Sequence, residues 1–167
     1  VKLGYTNELA ANLKSFSKDT SLFASLGKEF AGIGDNESAK EMFNSAAKLA
    51  PDNAQLNTLL GVFKLKEDET AGIEELEKAI KIEPKFDAAN IALAMNYLKQ
   101  GKTLEAEQIA SSWLESDPNS VASLILNGNI AKQANNQEAA KDFYQRAIVL
   151  DPTHILPLFN LAVIASD

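Results

Sequence analysis

TSLFASLGKEFAGIGDNESAKEMFNSAAKLAPDN, residues 20–53, is the most regular stretch of the chain. Leu22, Phe23, Leu26, Phe30 and Ala31 recur three and four residues apart, which places them on one face of a helix. Gly34-Asp35-Asn36 has the chemistry of a tight turn. A second helical run follows at Ala39, Met42, Phe43, Ala46, Ala47 and Leu49, and Pro51 stops it, because proline has no amide hydrogen to continue the ladder. The stretch therefore predicts a helix, a short turn, a second helix and a proline stop.

The same unit returns along the chain. Pro51, Pro84, Pro118 and Pro152 lie 33, 34 and 34 residues apart, and a period near 34 predicts a repeat architecture in place of one globular core. Full units are read at 20–53, 54–86, 87–120 and 121–154. The second is one residue short between Gly61 and Ala79, and the deletion is placed at the turn around Glu67 to Thr70. Residues 1–19, with Leu9, Leu13 and Phe16, read as the second half of an earlier unit, and 155–167 as the first half of a later one. With Val1 in place of an initiator methionine, the expectation is a segment cut from a longer, bacterial array.

Composition narrows the partners. Sixteen Lys and Arg against 23 Asp and Glu give a net charge of -7, which repels phosphate backbones and anionic membrane surfaces, so nucleic acid is not expected. No run approaches the ~18 apolar residues of a membrane span, and no signal-like segment follows Val1. The segment is expected to be soluble without direct membrane insertion, in the cytoplasm or the periplasm. The absence of cysteine excludes disulfides and thiolate metal sites but does not choose between those compartments.

Phe23, Leu26, Gly27, Phe30, Ala39, Phe43, Ala46 and Pro51 resemble the tetratricopeptide repeat family, whose pattern runs large residue, Leu-Gly, aromatic, Ala, aromatic, Ala, Pro. Later units depart from it. Asn57 and Lys64 replace the large residue and the first aromatic in the second unit; Ala110 and Trp113 interchange small and large in the third; Asn127 and Ala131 replace Leu and the aromatic in the fourth. The resemblance implies an all-α, right-handed superhelical solenoid with first helices lining a concave groove. It also implies that Gly27, Gly61, Ala94 and Gly128 let the two helices of a unit approach closely, while Ala39, Ala46, Ala79, Ala106 and Ala147 receive large neighbours.

Carried over by position, the groove would present Thr58, Val62, Ile91, Met95, Ile125, Asn129 and Phe159, preceded by Ala24 and Lys28. Two readings stay open for this mostly apolar stripe. It is packing between first helices, or a groove that accepts an amphipathic helix or an extended peptide. One subclass of the family clamps acidic chaperone tails, but Ala24, Leu59, Ala88 and Ala92 at the corresponding positions cannot grip a carboxylate.

Catalytic chemistry finds no foothold in these residues. His154 is the one histidine, so no triad or histidine metal cluster can assemble within the segment. Glu67-Asp68-Glu69 reads as a solvated turn, and Gly32 and Gly34 lack the Lys-Ser or Lys-Thr of a phosphate loop. Glu74 with Lys78 and Glu77 with Lys81 have the order of surface ion pairs, and Trp113 reads as core. No cofactor and no enzymatic activity are expected.

The sequence therefore predicts a non-catalytic scaffold for a protein or peptide partner, associated with secretion or exopolysaccharide export. The alternative is the substrate-docking arm of a larger enzyme such as a glycosyltransferase or signalling kinase. Leu158, Leu161, Ala162 and Ile164 are expected to lack cover on the final helix, which predicts self-association there.

Overall fold

A computed structural model of the chain describes residues 19–166. Among them are nine helices and no strand: α1 (Thr20–Gly32), α2 (Asn36–Leu49), α3 (Ala54–Lys64), α4 (Glu69–Ile82), α5 (Asp87–Lys99), α6 (Thr103–Ser116), α7 (Val121–Gln133), α8 (Gln137–Leu150) and α9 (Ile155–Ser166). The chain is an all-α helical repeat solenoid. The pattern at Leu9, Leu13 and Phe16 lies outside the described residues.

Local chemistry sets the helix ends. Asp19, Asp35, Asn53, Asp68, Ser120 and Asn136 each turn a side-chain oxygen onto an amide of the following first turn. Each such cap stabilises its helix by about 1 kcal/mol. Three first helices then close in the same way, with Gly34, Gly101 and Asn135 in the left-handed region at φ 79°, 73° and 59°. The amides that follow, at Asp35, Lys102 and Asn136, donate back to Phe30, Tyr97 and Ala131 at 2.9 Å, satisfying carbonyls that the helix end would orphan.

The second unit turns differently. It has no residue at positive φ; Glu67 and Asp68 instead donate backbone bonds to the Lys64 carbonyl at 2.9 and 2.8 Å. The missing residue thus falls at residues 65–68, slightly earlier than the sequence suggested. Gly72 makes the shortened turn fit, since a Cβ there would stand 2.6 Å from the Leu65 nitrogen.

The described residues form two compact units, divided between Glu83 and Pro84. In the first, α1 pairs with α2 and α3 with α4, while α2 packs on α3. Phe23, Phe30, Met42, Phe43, Leu60 and Phe63 fill its core, with the Phe43 and Phe63 rings 5.4 Å apart across the α2/α3 junction. Burial of each such side chain stabilises the unit by roughly 1.5–3 kcal/mol. In the second, α5 pairs with α6 and α7 with α8; α6 packs on α7, α5 touches α7, and α9 lies on α8.

Small residues make these hairpins tight. A Cβ on Gly27 would sit 2.6 Å from the Phe43 ring, and one on Gly128 only 2.4 Å from the Tyr144 ring, so each glycine is the socket for an aromatic sixteen residues later. Ala94 carries the methyl that the glycines lack, and its counterpart across the hairpin is the small Ala110. Trp113 then supplies the bulk, packing one turn along against Leu98, Leu126 and Ile130. The interchange of small and large in the third unit thereby conserves volume.

The polar departures also have structural causes. Asn57 and Asn90 are buried, and each donates to the carbonyl of the preceding proline, Pro51 at 3.0 Å and Pro84 at 2.9 Å. Asn127 bridges helices, giving its amide to Ala110 at 3.0 Å and Ser123 at 2.9 Å. A buried amide held by two carbonyls is affordable where an unpaired one would not be.

Candidate protein-binding face

The seven residues expected in the groove divide by burial. Thr58 is buried in α3 and its hydroxyl is already spent on the Ala54 carbonyl at 2.8 Å, so it offers a partner nothing. Ile125 is only 8% exposed and packs in the cluster of Leu124 and Ala147. Both belong to packing, which corrects the expectation for these two positions. Val62 on α3 is exposed in the first unit.

The remaining four lie on first helices of the second compact unit, residues 84–166. Ile91 and Met95 are one turn apart on α5, Asn129 is on α7, and Phe159 is on α9. Met95 is 51% and Phe159 63% exposed, and Ile91 is exposed one turn before Met95. These residues lie on successive first helices, of which α5 meets α7 directly.

A hydrogen-bonded group links that face to the core. The Tyr144 hydroxyl donates to Asn129 Oδ1 at 2.8 Å, and the Asn160 side-chain amide donates to the same oxygen at 3.2 Å. Tyr144 is fully buried on α8, whereas Asn129 is exposed. The sequence singled out Asn129 but not its partners; Asn160 lies 31 residues away, and no local pattern announces the pairing.

Burial pushes the Tyr144 hydroxyl up to about 12. An unfolded tyrosine ionises near 10, so the raised value favours the fold in full below that pH and loses its effect as pH climbs toward 12. The second unit is therefore expected to lose roughly 2–3 kcal/mol of stability across that window. Tyrosinate absorbance, compared with that of Tyr144→Phe, should show Tyr144 ionising late, together with loss of helix in residues 84–166. Ionisation of Tyr144 near pH 10 with the helices intact would contradict this.

The end of the chain departs from expectation in part. Ile164 is buried and Leu161 partly buried, packing on Ala140 and Tyr144 of α8. Leu158 and Ala162 are exposed as the sequence suggested, and Ile155, Leu156 and Phe159 are exposed with them. A helix one turn in register places 161 and 164 on the inward side while 155, 158, 159 and 162 turn outward.

Charge is arranged around the hairpins. The expected Glu74–Lys78 and Glu77–Lys81 pairs do not close; Glu75 instead reaches Lys64 on α3 at 2.7 Å, and Lys40 pairs with Glu67. Asp68 caps α4 through the Ala71 amide at 3.1 Å, which gives the acidic turn a structural role. Among the described residues no group of His, Asp and Glu is placed to hold a metal ion, and no helix is long and apolar enough to cross a membrane. An open hollow of about 420 Å³ is lined in part by Leu124, Asp142, Arg146, Val149 and Leu150, none of them predicted for binding.

Comparison with known proteins accords with the helical geometry. Family models of the tetratricopeptide repeat match residues 20–53, 66–126 and 122–154. Among solved structures, MamA is similar with 20% identity and a TM-score of 0.68, over 89% of this chain and 88% of that one. YrrB, described as a TPR protein with an unusual peptide-binding site, is 22% identical with a TM-score of 0.64, over 87% and 75%. PilW, described as a widely conserved type IV pilus biogenesis factor, is 20% identical with a TM-score of 0.67, over 85% and 66%. No match is found among curated proteins. With helix pairs recurring at the period of its prolines and family models matching most of its length, the chain belongs to the tetratricopeptide repeat family.

Proposed function

We propose that the chain is a non-catalytic interaction scaffold that binds an extended peptide segment of a partner protein on the first-helix face of its second unit. The observation that carries this reading is the exposure of Met95 and Phe159 on first helices of the same compact unit that holds the Asn129–Asn160 amide pair. Exposed apolar side chains on one face supply area that a partner can bury. Polar amides in the same unit suit an extended segment, whose backbone groups are unpaired, better than a helix, whose groups are already satisfied. A role in assembling an export machine is the system we favour; PilW, which shares the fold, is described as a pilus biogenesis factor.

Peptides selected on the intact chain from a random display library provide the test. Met95→Lys and Phe159→Lys are each expected to weaken a selected peptide about tenfold or more, because a charged amine replaces buried apolar contact. Val149→Lys, on the outward side of α8, should leave affinity unchanged, and added salt should matter little. Unaltered binding by both groove variants would overturn the reading. Concentration-dependent light scattering abolished by Phe159→Lys, with no peptide selected, would assign the face to a second copy of the chain instead.

A further inference from the structure

We propose that Asn127 is a self-deamidation site that the fold holds shut: when α7 opens, its carboxamide is lost to water as ammonia, and the carboxylate left behind keeps the helix from closing again. The inference is independent of the binding face and concerns the lifetime of the unit that carries it.

Asn127-Gly128 is the one Asn-Gly pair in the chain. Glycine has no side chain to screen its nitrogen and leaves helical geometry freely, so in an opened chain the Gly128 nitrogen can reach the Asn127 side-chain carbon. Having given its proton to solvent, that nitrogen attacks Asn127 Cγ. A C–N bond closes a succinimide ring, and the side-chain nitrogen takes up a proton and leaves as ammonia. Water then opens the ring, adding its hydroxyl to one carbonyl carbon and its hydrogen to the ring nitrogen, which leaves aspartate or isoaspartate. The sum is amide plus water to acid plus ammonia, with nothing oxidised or reduced.

The packing that demands the glycine also guards the pair. A Cβ at 128 would stand 2.4 Å from the Tyr144 ring, so the α7/α8 hairpin imposes the reactive dipeptide. In the closed unit the Gly128 nitrogen lies inside α7, its hydrogen held by the preceding turn. The Asn127 side chain is 8% exposed, and its nitrogen donates to Ala110 on α6 at 3.0 Å and to Ser123 at 2.9 Å. Attack requires both the turn and these bonds to break, which means local opening of α7 from α6.

The product does not fit the site it came from. An ionised aspartate only accepts, and it would face the same two carbonyls with no hydrogen to give. Isoaspartate adds a backbone atom to α7 and breaks its register. The other buried asparagines of first helices, Asn57 and Asn90, precede Thr58 and Ile91, whose branched side chains crowd the attacking nitrogen.

The full chain is held at neutral pH, either folded or in guanidinium chloride, and the peptide from Thr103 to Lys132 is then fragmented in a mass spectrometer. That peptide also contains Asn119, exposed in the turn between α6 and α7, as an internal reference. Asn127 should react more than about a hundredfold more slowly in the folded chain than in the unfolded one, whereas Asn119 should differ far less. Trp113→Ala, which loosens the packing of α6 on α7, should speed Asn127 about a hundredfold, and should bring it to the unfolded rate if the unit no longer folds. Asn127→Asp installs the product and should lower the urea midpoint of residues 84–166. Asn127→Leu, with no amide to lose, should keep the parent's helicity throughout the incubation. Equal rates at Asn127 in the folded and unfolded chain, no acceleration by Trp113→Ala, or an Asn127→Asp variant as resistant to urea as the parent would each overturn the proposal.

Discussion

Trp113→Ala is expected to lower the stability of the unit formed by residues 84–166 by about 3–5 kcal/mol. The indole is 1% exposed and fills the space between α5, α6 and α7 against Leu98, Leu126 and Ile130. The same cluster holds Ala94, Ala106 and Ala110, which have no length with which to collapse into a void, with Tyr97 and Ile109 packed at its edge. The cavity should therefore persist, and the cost should lie toward the upper end of that range. Trp113→Phe should cost much less, because the indole nitrogen has no hydrogen-bond partner to lose and the ring still fills most of the site. Urea unfolding followed by circular dichroism measures both variants. A loss below about 1 kcal/mol for the alanine variant would show that the site repacks and that the interchange with Ala110 is not what fills it.

Gly128→Val should have the opposite cause and a comparable size. Its Cβ would stand 2.4 Å from Tyr144 Cε1 and 2.8 Å from Cδ1, and the ring is buried with no room to withdraw. Overpacking of this kind destabilises by roughly 3 kcal/mol. Because each repeat is held chiefly by its neighbours, amide exchange should quicken first in α7, α8 and α9 while residues 20–83 keep their protection. Combining Gly128→Val with Tyr144→Ala should remove much of the clash, so that the two changes are far from additive. Gly32→Ala provides the contrast, since nothing lies within 4 Å of a Cβ there. Uniform loss of protection along the whole chain on Gly128→Val would contradict the repeat description.

The helices themselves were legible because their causes are local. Pro51, Pro84, Pro118 and Pro152 stop chains that apolar periodicity had started, and Asp19, Asp35, Asn53 and Asp68 cap within three residues of themselves. Gly27, Gly61 and Gly128 announced close approach through their spacing, and the contacts at Phe43, Leu76 and Tyr144 are where that spacing leads.

Burial on the first helices was another matter. Thr58 and Val62 lie four residues apart on α3, yet one is buried and the other exposed, because cover depends on helices that are distant in sequence. Ile125 shares the apolar character of Ile91 but is enclosed by Leu124 and Ala147. Composition could not separate them. The same holds for Asn129, whose side-chain oxygen accepts from Tyr144 fifteen residues away and Asn160 thirty-one away. Sequence alone determined the period, the helix pairs and the small-residue sockets, since each follows from backbone chemistry within a unit. Tertiary structure alone decided which side chains stay in water and which hydrogen bonds a carboxamide makes, since both are set by contacts between helices.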